Sequence, residues 1–211
     1  MSETLAKTEA IVKQGKALGA DEVIARTTFG RYRQTRFSNN QVDITVAWND
    51  YVTDVALSWQ KRLVATQIHN FQNVDDTMKR LYQLAKASKQ NPMYGGVAKG
   101  KFHYNKSKAD KSVENLENQA EYVYQAIDAA RKEVGKDLNA GGILFTKFED
   151  VYLASSEGPT GEDSRSAIEL SIRAFSQQEA SGQGVECSST VKGFEPTRAG
   201  QKAGQIAKMA R

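Results

Sequence analysis

The chain has 211 residues, of which 39% are hydrophobic and 26% charged, with a formal net charge of +4. That length suffices to bury a real core in one large domain or two small ones. No apolar run approaches the ~20 residues of a membrane span, and "MSETLAKTEA" has neither the basic nor the apolar segment of a secretory leader. A lone cysteine, Cys187, precludes an internal disulfide and fits a reducing, cytoplasmic setting.

The first helix is expected over Ser2–Leu18, with Leu5, Ile11, Val12 and Leu18 inward, Gly15 at a close approach and Gly19 closing it. From Asp21 the period becomes alternating. "VIARTTFGRYRQTRF" reads as a strand, "SNN" as a turn and "QVDITVAW" as a half-buried strand. A turn at Asn49-Asp50, a strand through Val55, Leu57 and Trp59, a turn at Gln60-Lys61 and the strand "RLVATQIHN" complete an antiparallel meander. Helix two spans Val74–Lys89, with Asn73 as N-cap and Met78, Leu81 and Ala85 inward; Asn91-Pro92 ends it.

The Gly- and Lys-rich stretch after Met93 reads as a boundary. It divides the chain into an N-terminal α+β subdomain over 1–98, a basic connector over 99–110 and a second α+β subdomain over 111–211. Val113, Leu116, Ala120, Val123, Ile127, Ala130 and Val134 step by three and four and predict one helix closed by Gly135. "GGILFTKF", "DVYLASSEG", "SAIELSIRAFSQQ" and "GVECSSTV" follow as strands. The class is therefore α+β, antiparallel meanders packed with helices, and each half reads as helix, four strands, helix.

A terminal helix starts at Phe194-Glu195-Pro196. Its stripe of Ala199, Ala203, Ile206, Ala207 and Ala210, with Gly200 and Gly204, needs a close surface. Two glycines make such a helix marginal alone, so it either docks on the second-half sheet or frays. No stop signal follows before Arg211, and the reading is that this is the front part of a larger protein.

Complete chemistry is not apparent. His69, His103 and Cys187 show no metal-ligand spacing, and Cys187, alternating with Val185 and Ser189, is expected to pack inside a strand. Ser155 and Ser156 lack a nucleophile elbow. Glu157, Glu162 and Asp163 crowd one loop, where solvated acids are the ordinary reading and acid–base or cation work the alternative. Arg26, Arg31, Arg33 and Arg36 interleave with Phe29, Tyr32 and Phe37, and Lys99, Lys101, Lys106, Lys108 and Lys111 surround Phe102, His103 and Tyr104. A nucleic-acid track is the weaker reading of both, because neither carries a binding signature.

The ordered segments resemble the TldD/PmbA family, also called modulators of DNA gyrase. The segments are "ALGADEVIARTT", "RFSNNQVDITVAWND", "QKRLVATQIHNF" with "VDDTMKRLYQLAKASKQNPMY", then "VYLASSEGPTGEDSRSAIELSIRAFSQQEASGQGVECSST" and "FEPTRAGQKAGQIAKMA". The family usually has glycines around the first meander, where this chain has Ala56 and Val64. The resemblance implies a metallopeptidase, or its zinc-free partner, acting on unfolded peptides as a homo- or heterodimer that encloses a cavity. The zinc-binding His-Glu-x-x-x-His would follow Arg211, so no catalytic or metal-binding residue carries over. The chain is expected to hold no cofactor, to be inactive alone, and to wall the cavity, with an exposed strand edge for extended substrate. No membrane partner is implied. The alternative is a free-standing peptide- or protein-binding module without enzymatic activity.

Overall fold

The computed structural model describes residues 2–100, 102–176 and 180–210. In chain order the elements are α1 (Glu3–Ala17), β1 (Glu22–Ser38), β2 (Gln41–Trp59), β3 (Arg62–His69), α2 (Val74–Ala87), α3 (Lys111–Glu114), α4 (Gln119–Val134), β4 (Asn139–Ser155), β5 (Thr160–Phe175), β6 (Ser181–Ser188) and α5 (Pro196–Met209). The class is α+β, with a six-stranded sheet ordered β3-β2-β1-β4-β5-β6. Tight turns at Asn39-Asn40 and Gln60-Lys61 join the first three strands. All four residues have φ between 48° and 64°, the left-handed geometry that two-residue hairpins require.

Each half runs helix, three strands, helix, where four strands were expected. Asn49-Asp50 does not turn: β2 passes straight through it, and "GGILFTKF" and "DVYLASSEG" are one strand, β4. A polar pair inside an alternating run remains extended when no residue there adopts positive φ. The predicted helix over Val113–Val134 is likewise broken between Glu114 and Gln119. There Arg33 Nη1 donates to the Leu116 carbonyl at 2.5 Å. Gln119, 1% exposed, accepts from Thr35 and donates to Thr146. Ser2 caps α1 through Leu5 N; Asn73 precedes α2 with φ 51° and makes no side-chain cap bond.

The chain forms two compact units, discontinuous in sequence. The first comprises residues 1–30, 50–107 and 149–164. Its core interlocks Ile11, Val23, Leu57, Ile68, Met78 and Leu81. Beneath α1, Thr8 donates to the Thr4 carbonyl at 2.8 Å, lies 2.7 Å from the Thr27 hydroxyl, and Thr27 lies 2.9 Å from that of Thr53.

The second unit comprises 31–49, 108–148 and 165–211. Leu144, Ile168, Leu170 and Ile172 form the sheet side of its core, and Val123, Ala126, Ile127 and Ala130 the α4 side. Helix α5 docks on β6 and α4. Ala199, Ala203 and Ala207 are fully buried, Ile206 is half-buried, and Ala210 is exposed. The close approach is real. A Cβ on Gly200 would strike the Ala126 backbone, and one on Gly184 the Ala199 backbone.

Candidate functional site

The first unit carries a groove on the sheet face turned away from its helices. Strand alternation puts Val23 and Ala25 into the core and leaves Ile24 on the opposite face, joined there by Val151 and Leu153 of β4. Residues Phe102, His103 and Tyr104 of the connector stand beside this apolar floor. With Pro159 and the start of β5 they enclose a cavity of about 570 Å³, a volume suited to a small ligand or a large side chain. Phe102 and Tyr104 are 56% and 50% exposed. A second recess of about 470 Å³ shares Ile24 and Leu153 and extends past Ala56 and Ala65.

The connector is fastened to the acidic loop. Tyr104 Oη accepts from Glu162 N at 2.9 Å and donates to the Glu162 carbonyl at 3.2 Å. Gly161 lets the ring lie close, since a Cβ there would stand 2.9 Å from the Tyr104 ring atoms. Gly100 N donates to the Glu157 carbonyl at 3.1 Å. Lys99 and Lys106 pair with Glu157 and Glu162 at 3.5 and 3.2 Å, and Ser107 N donates to Asp163 at 2.9 Å. Burial alone would raise the Asp163 pKa; hydrogen bonds from Ser164 and Ser107, with Lys106 nearby, outweigh it and hold the carboxyl below its usual range. At the other recess, Arg26 and Gln67 similarly outweigh burial and lower the Asp54 pKa. The loop acids are thus partners of the connector.

Ser156 accepts from Val23 N at 3.0 Å and donates to Glu157 at 3.2 Å, while Ser155 accepts from Glu157 N at 3.2 Å. Both hydroxyls organise the loop. His103 lines the groove and His69 ends β3; both are exposed. Cys187 is exposed, contrary to the packed position expected for it. The alternation of β6 holds, but its buried face is Gly182 and Gly184, which let α5 approach, so Cys187 falls on the outer face with Val185. Its thiol pKa is raised by partial burial and by Glu169 and Glu186, which keeps it a poor nucleophile.

Among the described residues no three His, Cys, Asp or Glu side chains converge as a metal-binding group. A zinc ion of the kind the family resemblance implies finds no ligand set in them.

The arginines of the first basic stretch have partners inside the protein. Arg26 meets Asp54 at 2.6 Å, and Arg31 meets Glu114 at 2.8 Å while lying over the Phe148 ring. Phe29 stacks on Tyr51 at 4.2 Å between centroids, and Phe37 is buried. The pairing of connector with acidic loop was not found by sequence reasoning. Opposite charge on two Gly-containing segments was the available signal, but it fixes no partner at that separation.

Residues 106–211 match the family model of the PmbA/TldA metallopeptidase central domain. Solved structures share the fold. A candidate modulator of DNA gyrase from Bacteroides thetaiotaomicron superposes with a TM-score of 0.78 at 14% identity, covering 96% of this chain and 49% of that one. One from Thermotoga maritima gives 0.75 at 14% identity, and TldE from Thermococcus kodakarensis 0.74 at 14%; each covers 96% of this chain and 47% of its own. The chain therefore spans about half the length of these structures. No curated protein sequence matches it.

Proposed function

The chain belongs to the PmbA/TldD metallopeptidase family, and from that premise we propose that it is the peptide-holding region of such a peptidase. In this reading it lines the cavity of a homo- or heterodimer, takes unfolded peptide as its ligand, and works in the cytoplasm beside a separate catalytic region. The observation that carries the reading is the groove over Ile24, Val151 and Leu153. Its floor is apolar, Ser155, Glu162 and Asp163 beside it are already hydrogen-bonded, and its aromatic wall stays open to solvent. Such a surface retains apolar side chains of an extended chain by burial, roughly 25 cal/mol per Å² of apolar area removed from water, without demanding one sequence.

Fluorescence anisotropy with a labelled, unstructured, apolar-rich peptide tests this. The double variant Phe102→Ala/Tyr104→Ala removes the exposed wall and should weaken binding by about tenfold or more, equivalent to ~1.4 kcal/mol. Unchanged affinity in a variant with a wild-type melting curve sinks the assignment of the groove.

A further inference from the structure

Strand β2 outruns its neighbour. Its ladder with β3 begins at the Val52–His69 pair and ends at Trp59–Arg62, and Asn70 N adds one bond to the Tyr51 carbonyl. Yet β2 starts at Gln41. Among the described residues, the outer edge of 41–50 therefore has no strand beside it. Proteins ordinarily guard an open edge with Lys, Pro or a short strand. "QVDITVAWND" contains no Lys or Pro, and its only charges are Asp43 and Asp50. Ile44, Val46 and Trp48 are 51%, 44% and 40% exposed. Their face continues into an aromatic cluster, with the Trp48 ring 5.4 Å from Tyr32 and 6.0 Å from Phe145. Val42 instead packs against the buried core of the second unit.

We propose that this edge is a self-association surface, pairing antiparallel with the same segment of a second copy about a two-fold axis at Val46. A two-fold interface must be self-complementary, and the spacing of this segment is. With Val46 opposite itself, Ile44 falls opposite Trp48, so the three exposed apolar residues face only one another. Asp43 then falls opposite Asn49 and Asp50 opposite Val42, so no like charges meet. Moving the axis to Thr45 would set Trp48 against the core-packed Val42 and lose that match. Cross-strand pairs of aromatic and β-branched residues are favourable, and opposed like charges are not. The assignment deepens the dimer of the preceding section and rests on it for the existence of a dimer.

Two experiments on the full chain test it. In a Cys187→Ser background, Val46→Cys should oxidise to a covalent dimer. Directly opposed residues have Cα atoms ~4.5–5.5 Å apart, within disulfide reach. Ile44→Cys should not cross-link, because its symmetry mate lies four residues along, roughly 14 Å away at ~3.4 Å per residue. Equal cross-linking at both positions overturns the register. In sedimentation equilibrium, Ile44→Lys/Val46→Lys should raise the dimer Kd at least about tenfold, with an unchanged far-UV circular dichroism spectrum because both side chains are exposed. A dimer that survives this variant overturns the surface and leaves the dimer standing. A wild-type chain that stays monomeric at every concentration overturns both. Loss of peptide binding in the lysine variant, with the dimer intact, would assign the edge to peptide and overturn self-association.

Discussion

The two units solve the same packing problem with opposite materials. In the first, helices stand off the sheet on large side chains: Ile11, Met78 and Leu81 interlock with Val23, Leu57 and Ile68. In the second, α5 lies almost backbone to backbone on β6 and α4, through Ala199, Gly200, Ala203, Gly204 and Ala207 against Gly182, Gly184, Ala126 and Ala130. The difference concerns tolerance. Side-chain methyls can shift by a few tenths of an ångström, whereas backbones held by hydrogen bonds cannot. Small-residue packing therefore gains contact density at the expense of adjustability.

Adding one methyl at Gly184 should break the contrast most visibly. Its Cβ would meet the Ala199 backbone, and Gly184→Ala is expected to lose about 3 kcal/mol, the upper range for overpacking, in chemical denaturation. A loss below about 1 kcal/mol would mean that α5 slides freely on β6.

Asp110 sharpens the account of the second unit, because it caps α3 through Ser112 N and also accepts from Val191 N at 2.9 Å. Asp110→Ala should cost about 1–2 kcal/mol at neutral pH. Hydrogen bonds from Ser112 and Val191 lower the pKa of Asp110 in the folded state. The unfolded chain therefore takes up the proton first as pH falls, so the contribution is complete above about pH 4 and fades below it. Melting curves of wild type and variant should converge over that acid range; a gap independent of pH would assign the loss to something other than the carboxylate.

The smallest effect is expected at Gly15, the first unit's own close approach. Here a Cβ would lie 2.7 Å from Val23 Cγ2 and 3.0 Å from Met78 Cε, methyl groups that can yield. Gly15→Ala also gains up to ~1 kcal/mol of helix propensity. The net change in denaturant stability should stay within about 1 kcal/mol. A loss matching that of Gly184→Ala would erase the distinction between the units.

What was legible in the sequence follows the same division between local and distant causes. Helices α1, α2 and α5 announced themselves through periodicity and punctuation, and the close approach of Gly15, Gly200 and Gly204 was visible because glycine has few other reasons to sit inside a helix. The turns at Asn39-Asn40 and Gln60-Lys61 were legible, but the equally polar Asn49-Asp50 was not distinguishable from them. Only the backbone dihedrals separate a turn from a polar step in a strand. The burial of β6 was read on the wrong face, since hydropathy favours Val185 and Cys187 while the packing favours glycine. The groove was invisible because Tyr104 and Glu162 meet across 58 positions, and neither segment encodes the other's location.

The threonines beneath α1 carry a further consequence. A hydroxyl has one proton, and that of Thr8 already goes to the Thr4 carbonyl. Thr27 must then donate to Thr8, and Thr53 to Thr27, so the whole chain of O–H dipoles is oriented toward the helix. The members are consequently unequal. Thr8 and Thr27 each both give and receive within the chain, whereas Thr53 only gives to it. An aliphatic side chain at Thr8 would strand the Thr27 proton in a dry interior, while the same change at Thr53 would leave only an unused acceptor lone pair on Thr27. Three identical residues at one depth thus form a directed wire with a beginning and an end.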